Sequence, residues 1–121
     1  MFKQVGNKDA LEEREAYYKA LTESRYIAER SRLLSMIEEW WADVLRQHAC
    51  SEETACGSPP LDHPGFAEST HAQAKRFSTR ELLGKLDALE TLRMNLGRNV
   101  QEQLALEIGF LEAFAPPALL T

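Results

Sequence analysis

Five side chains able to bind a metal crowd the middle of this sequence: His48, Cys50, Cys56, His63 and His71. Thiolate sulfur and imidazole nitrogen are zinc's usual ligands, and a metal held by them can staple a loop. The usual spacings are C-x2–4-C and H-x3–5-H. Here five residues separate Cys50 from Cys56, and seven separate His63 from His71. Both gaps are too wide, so these residues are read as ordinary loop side chains. Cys50, Cys56 and His63 are the weak candidates, and no metal or other cofactor is expected. Nucleotide and acyl chemistry also lack their motifs. The chain has no G-x-x-x-x-G-K-[ST], no G-x-G-x-x-G and no G-x-S-x-G.

A second constellation is ionic. In "RNVQEQLALEIGFLEAF", Val100, Leu104, Leu106, Ile108, Phe110, Leu111 and Phe114 cover a broad arc of an ideal helix, with Glu107 near its middle. Just upstream, Leu82, Leu86, Leu89, Leu92 and Leu96 share a face into which Arg93 falls. A lone buried charge is very costly, and a paired one is tolerated. The pattern therefore predicts an Arg93–Glu107 pair between two helices, as a packing device. The alternatives are that one of the two reaches solvent, or that Glu107 meets Arg98 or an arginine of the second helix. With no second carboxylate and no nucleophile beside it, the pair is not read as catalytic. Trp40 and Trp41 resemble a base-stacking platform. They keep step with Ile37 and Val44, so a core role is expected; only one can point fully inward, which leaves the other to pack under the third helix or to meet a partner. Lys75, Arg76 and Arg80 in "AKRFSTR" make too short a run for a nucleic-acid patch and read as a solvated helix junction.

The elements that must position these residues are helical, because no strand-like alternation of any length occurs. A first helix is expected over Asp9–Ser24 with Asp9 as N-cap, and a second, central one over Arg25–His48; the break at "TESR" is weak, and one bent helix over both is the alternative. Residues 49–63 form a loop rich in Gly, Pro and Ser. A third helix is expected over Pro64–Phe77, anchored by Phe66 and Phe77. Ser78 and Glu81 form an S-x-x-E capping box opening a fourth over about 79–96. Asn99 and Glu102 form a variant box opening a fifth over about 100–114, which Pro116 and Pro117 stop. The expected architecture is an all-α bundle of about five helices in a single domain, 1–121.

The totals agree. The 121 residues are 44% apolar and 27% charged, with a formal net charge of -5. That size supports one core. The acidic balance argues against direct nucleic-acid binding. No apolar run approaches the roughly 20 residues that cross a bilayer, and the N-terminus lacks a secretory signal's apolar region. An intracellular protein is expected, with two cysteines as thiols and no membrane association.

Two blocks carry a resemblance to the C-terminal collar domain of bacterial clamp-loader subunits, most like delta prime of DNA polymerase III and next gamma/tau. "LLSMIEEWWADVL" is similar to the family's long helix: Trp41 and Asp43 match, and Ala42 stands where arginine is common. "LLGKLDALETLRMNLGRNVQEQLALEIGFLEAF" resembles the closing helices: Arg93, Asn99, Val100, Leu104, Ala105, Leu106 and Glu107 match, and Gln101 departs from a second asparagine. "PPLDHPGFAE", with Asp62, is similar to the linker between them. The resemblance implies a non-catalytic scaffold whose partners are the collars of other clamp-loader subunits. It would support sliding-clamp loading in the DNA polymerase III holoenzyme, a DNA-directed DNA polymerase. It implies a cytoplasmic, replisome-associated place, nucleic acid reached only through the complex, and no small-molecule ligand. A stand-alone helical adaptor with unrelated partners is the other reading of the same fold.

Overall fold

The computed structural model describes residues 2–52, 57–98 and 101–118. Regular structure there consists of α1 (Phe2–Glu52), a 3-10 turn (Pro64–Phe66), α2 (Ala67–Ala74), α3 (Thr79–Leu96) and α4 (Glu102–Ala113), with no strand among the described residues. The all-α class holds, with four α-helices instead of five. None of them is long and apolar enough to cross a membrane.

α1 merges the two helices expected over Asp9–Ser24 and Arg25–His48 and places Asp9 inside it. The reason is local. No Gly or Pro interrupts the chain between Asn7 and Glu52. At the expected break, the Thr22 hydroxyl donates to the Tyr18 carbonyl four residues back, at 2.8 Å. A hydroxyl engaged backwards in this way stays within a helix and does not cap a new one.

By its contacts the chain forms two compact units, Met1–Leu33 and Leu34–Thr121. The first unit is helical and open to solvent: Leu11, Tyr17, Tyr18, Tyr26 and Ile27 are all exposed. The Tyr17 and Tyr18 rings meet edge to face at 5.6 Å, and the Arg30 guanidinium lies 5.7 Å from the Tyr26 ring centroid.

The second unit holds the core. One cluster joins Trp41 and Val44 of α1 to Ala74, Phe77, Leu82, Leu89 and Ala113; another joins Leu34 to Leu92 and Ala105. α2 is shorter than expected and is anchored differently. Its buried residues are Thr70 and Ala74, whereas Phe66 is exposed and only Phe77 of the expected aromatic pair is buried. α3 buries Leu82, Lys85, Ala88, Leu89 and Leu92. Its first turn is closed by the reciprocal box: the Glu81 N–H donates to the Ser78 hydroxyl and the Ser78 N–H to the Glu81 carboxylate. At α4 Gln101 is the N-cap and Glu102 the first helical residue. The expected Asn99–Glu102 box involves Asn99, which lies outside the described residues.

α4 also turns its small side to the core. Its buried residues are Ala105, Gly109 and Ala113, each four apart, which form one ridge. A Cβ built on Gly109 would lie 2.7 Å from Leu92 Cδ2 and 2.9 Å from Leu92 Cβ, so the α4 backbone packs directly on that leucine. Helix propensity alone would make Gly109→Ala stabilising by up to about 1 kcal/mol. Overpacking is expected to reverse the sign, for a net loss of about 1–3 kcal/mol in urea unfolding. Leu92→Val should relieve part of that loss, because the two positions are in contact.

Candidate interaction surface

Ala105, Gly109 and Ala113 lie inside, with Leu106 and Phe110 packed part-buried beside them, and the other large side chains face outward: Leu104, Ile108, Leu111 and Phe114 are exposed, Leu111 by 74%. A shallow groove of about 560 Å³ meets this face at Leu111 and Phe114 and is otherwise lined by Gln103, Leu106, Glu107 and Phe110. Glu107 therefore sits on an apolar face that looks at solvent. It accepts from Gln103 Nε2 at 3.3 Å. The expected Arg93–Glu107 pair is not made. Arg93 turns toward α1, where its Nε donates to Glu38 Oε1 at 3.1 Å and its Nη2 to the Ser35 hydroxyl at 3.0 Å. The expected arc divides: its Leu106 and Phe110 edge packs against the core, whereas Leu104, Glu107, Ile108 and Leu111 face solvent.

Behind this face, polar clamps fix the helices. Asp43 is fully buried on α1. Its Oδ1 accepts from the Asp62 N–H at 2.8 Å and from Arg46 Nη1 at 2.7 Å, and its Oδ2 accepts from the His63 N–H at 2.9 Å. Arg46 also donates to Asp62 Oδ2 at 3.1 Å. The Asp62 carboxylate, with Asp43 behind it, raises the Arg46 guanidinium above its already high ordinary value. The Gln47 amide donates to the Ala67 carbonyl and the Thr70 hydroxyl, at 2.9 and 2.6 Å. His48 Nδ1 lies 2.8 Å from the Ala74 carbonyl oxygen.

Lys85 closes the other end of the core. Its Nζ donates to the carbonyls of Ala113 and Ala115, at 2.9 and 2.6 Å. These are groups that a helix C-terminus leaves without intrahelical partners. The ammonium also stands 4.5 Å from the Phe77 ring centroid and 5.0 Å from that of Trp41, within cation–π range. Burial pushes its pKa down, with Glu81 opposing.

Comparison with protein-family models, curated proteins and solved structures finds no match to this chain.

The candidate metal ligands do not converge. His63 Nε2 lies 2.8 Å from Glu39 Oε2, His71 Nδ1 lies 3.1 Å from Gln47 Oε1, and His48 is on Ala74. Cys50 is disulfide-bonded, which corrects the expectation of a thiol and removes it as a ligand. Cys56 lies outside the described residues. Among the described residues no group of three or more His, Cys, Asp or Glu is arranged to hold a metal. The two tryptophans differ in burial. Trp41 is buried, edge-on to Trp40 at 4.9 Å and to Phe77 at 5.7 Å, and cannot serve as interface; Trp40 is half-buried.

Sequence reasoning missed Lys85 and the small-residue ridge of α4. The Ala-x-x-x-Gly-x-x-x-Ala spacing was the available signal for the ridge. Lys85 also carried one, since it stands one turn after Leu82 and one turn before Leu89 on the buried stripe of α3.

Truncating Asp43 removes the acceptor of two part-buried backbone N–H hydrogen bonds, those of Asp62 and His63. Asp43→Ala is expected to lose roughly 3 kcal/mol or more. Asp62→Ala removes only an exposed ion pair and should lose under about 1 kcal/mol. Chemical denaturation of both variants reads the contrast. Acid titration probes α3. The N–H groups of Ala118 and Ser78 hold the Glu81 carboxyl below its ordinary 4.5. Its folded pKa is thus depressed, so its stabilisation is present above pH 4.5 and is lost as pH falls through the lower folded value. Glu81→Gln should make the protein less stable at neutral pH and flatten its acid limb below that point.

Proposed function

We propose that this chain is a non-catalytic assembly module of a bacterial clamp loader, of the delta prime kind. It packs with the collar domains of neighbouring subunits to support sliding-clamp loading in DNA replication. The observation that carries the reading is the outer face of α4, where Leu104, Ile108, Leu111 and Phe114 are exposed together. A contiguous apolar patch on a folded surface marks a place where another protein binds. The residues that bear the resemblance also organise the bundle. Trp41 lies in its core, Asp43 secures the segment that carries Asp62, and Arg93 ties α3 to α1. The buried charged groups act as clamps on backbone and side chains, the work of a scaffold. Contact with nucleic acid would come through the assembled complex, in the cytoplasm at the replisome.

The test mixes the purified chain with the other clamp-loader subunits of its source and follows the mixture by size-exclusion chromatography, with circular dichroism to confirm folding. Co-elution is expected, and Leu111→Asp should weaken it while leaving the helical spectrum unchanged. A folded chain that joins none of these subunits would overturn the assignment in favour of a stand-alone adaptor.

A further inference from the structure

We infer that the α4 groove receives an amphipathic helix of a neighbouring subunit whose apolar stripe carries an arginine or lysine set against Glu107. This inference rests on the assembly reading above and adds the chemistry of the partner.

The groove is apolar along Leu106, Phe110, Leu111 and Phe114, with Gln103 and Glu107 as its polar lining. Apolar residues on one helical face are what a docked helix buries through its own positions i, i+3, i+4 and i+7. Glu107 adds a constraint that apolar area alone does not. It is exposed, and its hydrogen bond comes from Gln103, a neutral neighbour one turn away on the same helix. The bundle does not use it as a clamp, in contrast to Asp43, Arg93 and Lys85. A docked helix would desolvate this carboxylate among apolar side chains, a cost that only a cationic or strongly donating partner offsets. Arginine suits the role best, since its planar fork matches a carboxylate and it is weakly hydrated.

The wider charge of α4 points the same way. The helix carries Glu102, Glu107 and Glu112 and no basic residue. Of these Glu107 lines the groove, so a second copy of α4 placed across it would set Glu107 against Glu107, and like charges facing one another across an interface are penalised. A face carrying basic residues beside leucine or isoleucine is complementary in both shape and sign.

The test measures binding of Glu107→Gln, Glu107→Lys and Leu111→Asp to the assembled remaining subunits, at low and at physiological salt. Both positions are exposed, and thermal melts of each of the three variants check that folding is intact. Expected are a several-fold loss for Glu107→Gln, a loss of about tenfold or more for Glu107→Lys, and a weaker salt dependence in the neutral variant. If Glu107→Lys binds like wild type while Leu111→Asp does not, the occupant is apolar without a basic residue and the inference falls. If neither substitution matters, the groove is not the docking face; the inference falls and the assembly reading stands. Failure of the wild-type chain to bind overturns both. Self-association of the chain alone that Leu111→Asp abolishes would put a second copy in the groove and overturn the hetero-partner.

Discussion

A carboxylate sealed from water must find its hydrogen bonds within the protein, and the burial of Asp43 sets the course of the chain around it. Both of its oxygens are engaged, and two of their donors are backbone N–H groups of consecutive residues, Asp62 and His63. That pairing fixes the backbone at the point where the chain turns into Pro64–Phe66 and then α2. Side chains of the next turn on α1 then complete the attachment: Gln47 holds Ala67 and Thr70, and His48 holds Ala74. A short helix with few apolar residues is thereby held by polar contacts, which explains how α2 can bury only Thr70 and Ala74 and still keep its place. Phe77 can then enter the core beside Trp41, and Ser78 can open α3 immediately afterwards.

The second constraint is steric. Packing strength between two helices depends on how closely they approach, and small residues on the facing ridge permit the closest approach. Ala105, Gly109 and Ala113 form such a ridge, and Leu92 fills the space that Gly109 leaves. The consequence is an exchange of roles along α4. Leu104, Ile108 and Leu111 are turned away from the core because the smaller residues occupy it, while Leu106 and Phe110 pack at its edge. Lys85 then caps the carbonyls of Ala113 and Ala115 from within the core, so the close approach is fastened at its C-terminal end.

Much of this was legible in the sequence, and what was not shares a physical cause. The helical class, the capping box at Ser78 and the leucine stripe of α3 follow from local rules, where periodicity and cap chemistry act over a turn or two. The sequence leaves two helices or one as alternatives at the weak break, because a Thr there can cap a helix or bond backwards, and the structure takes the single helix. The ion pair failed for a different reason. Arg93 and Glu107 each fall in an apolar arc, and an apolar arc predicts inward burial. For α3 that holds, and Arg93 finds Glu38 on α1 at the edge of the core. For α4 it holds only at Leu106 and Phe110, because the direction of burial is decided by the tertiary fit between Gly109 and Leu92, which hydrophobicity does not encode.

That reversal changes what a charge in an apolar helix means. On an inward face, Glu107 would have been a costly group needing a buried partner inside the fold. On an outward face it costs nothing in the free chain, since water solvates it, and it becomes costly only when another surface covers it. A group of that kind adds little to the stability of the domain and discriminates among the surfaces that approach it. It penalises apolar and acidic surfaces and tolerates a basic one. The exposed leucines of α4 would bind many apolar surfaces without distinction. One carboxylate set among them turns a patch that is merely adhesive into one that selects the charge and the register of what docks there.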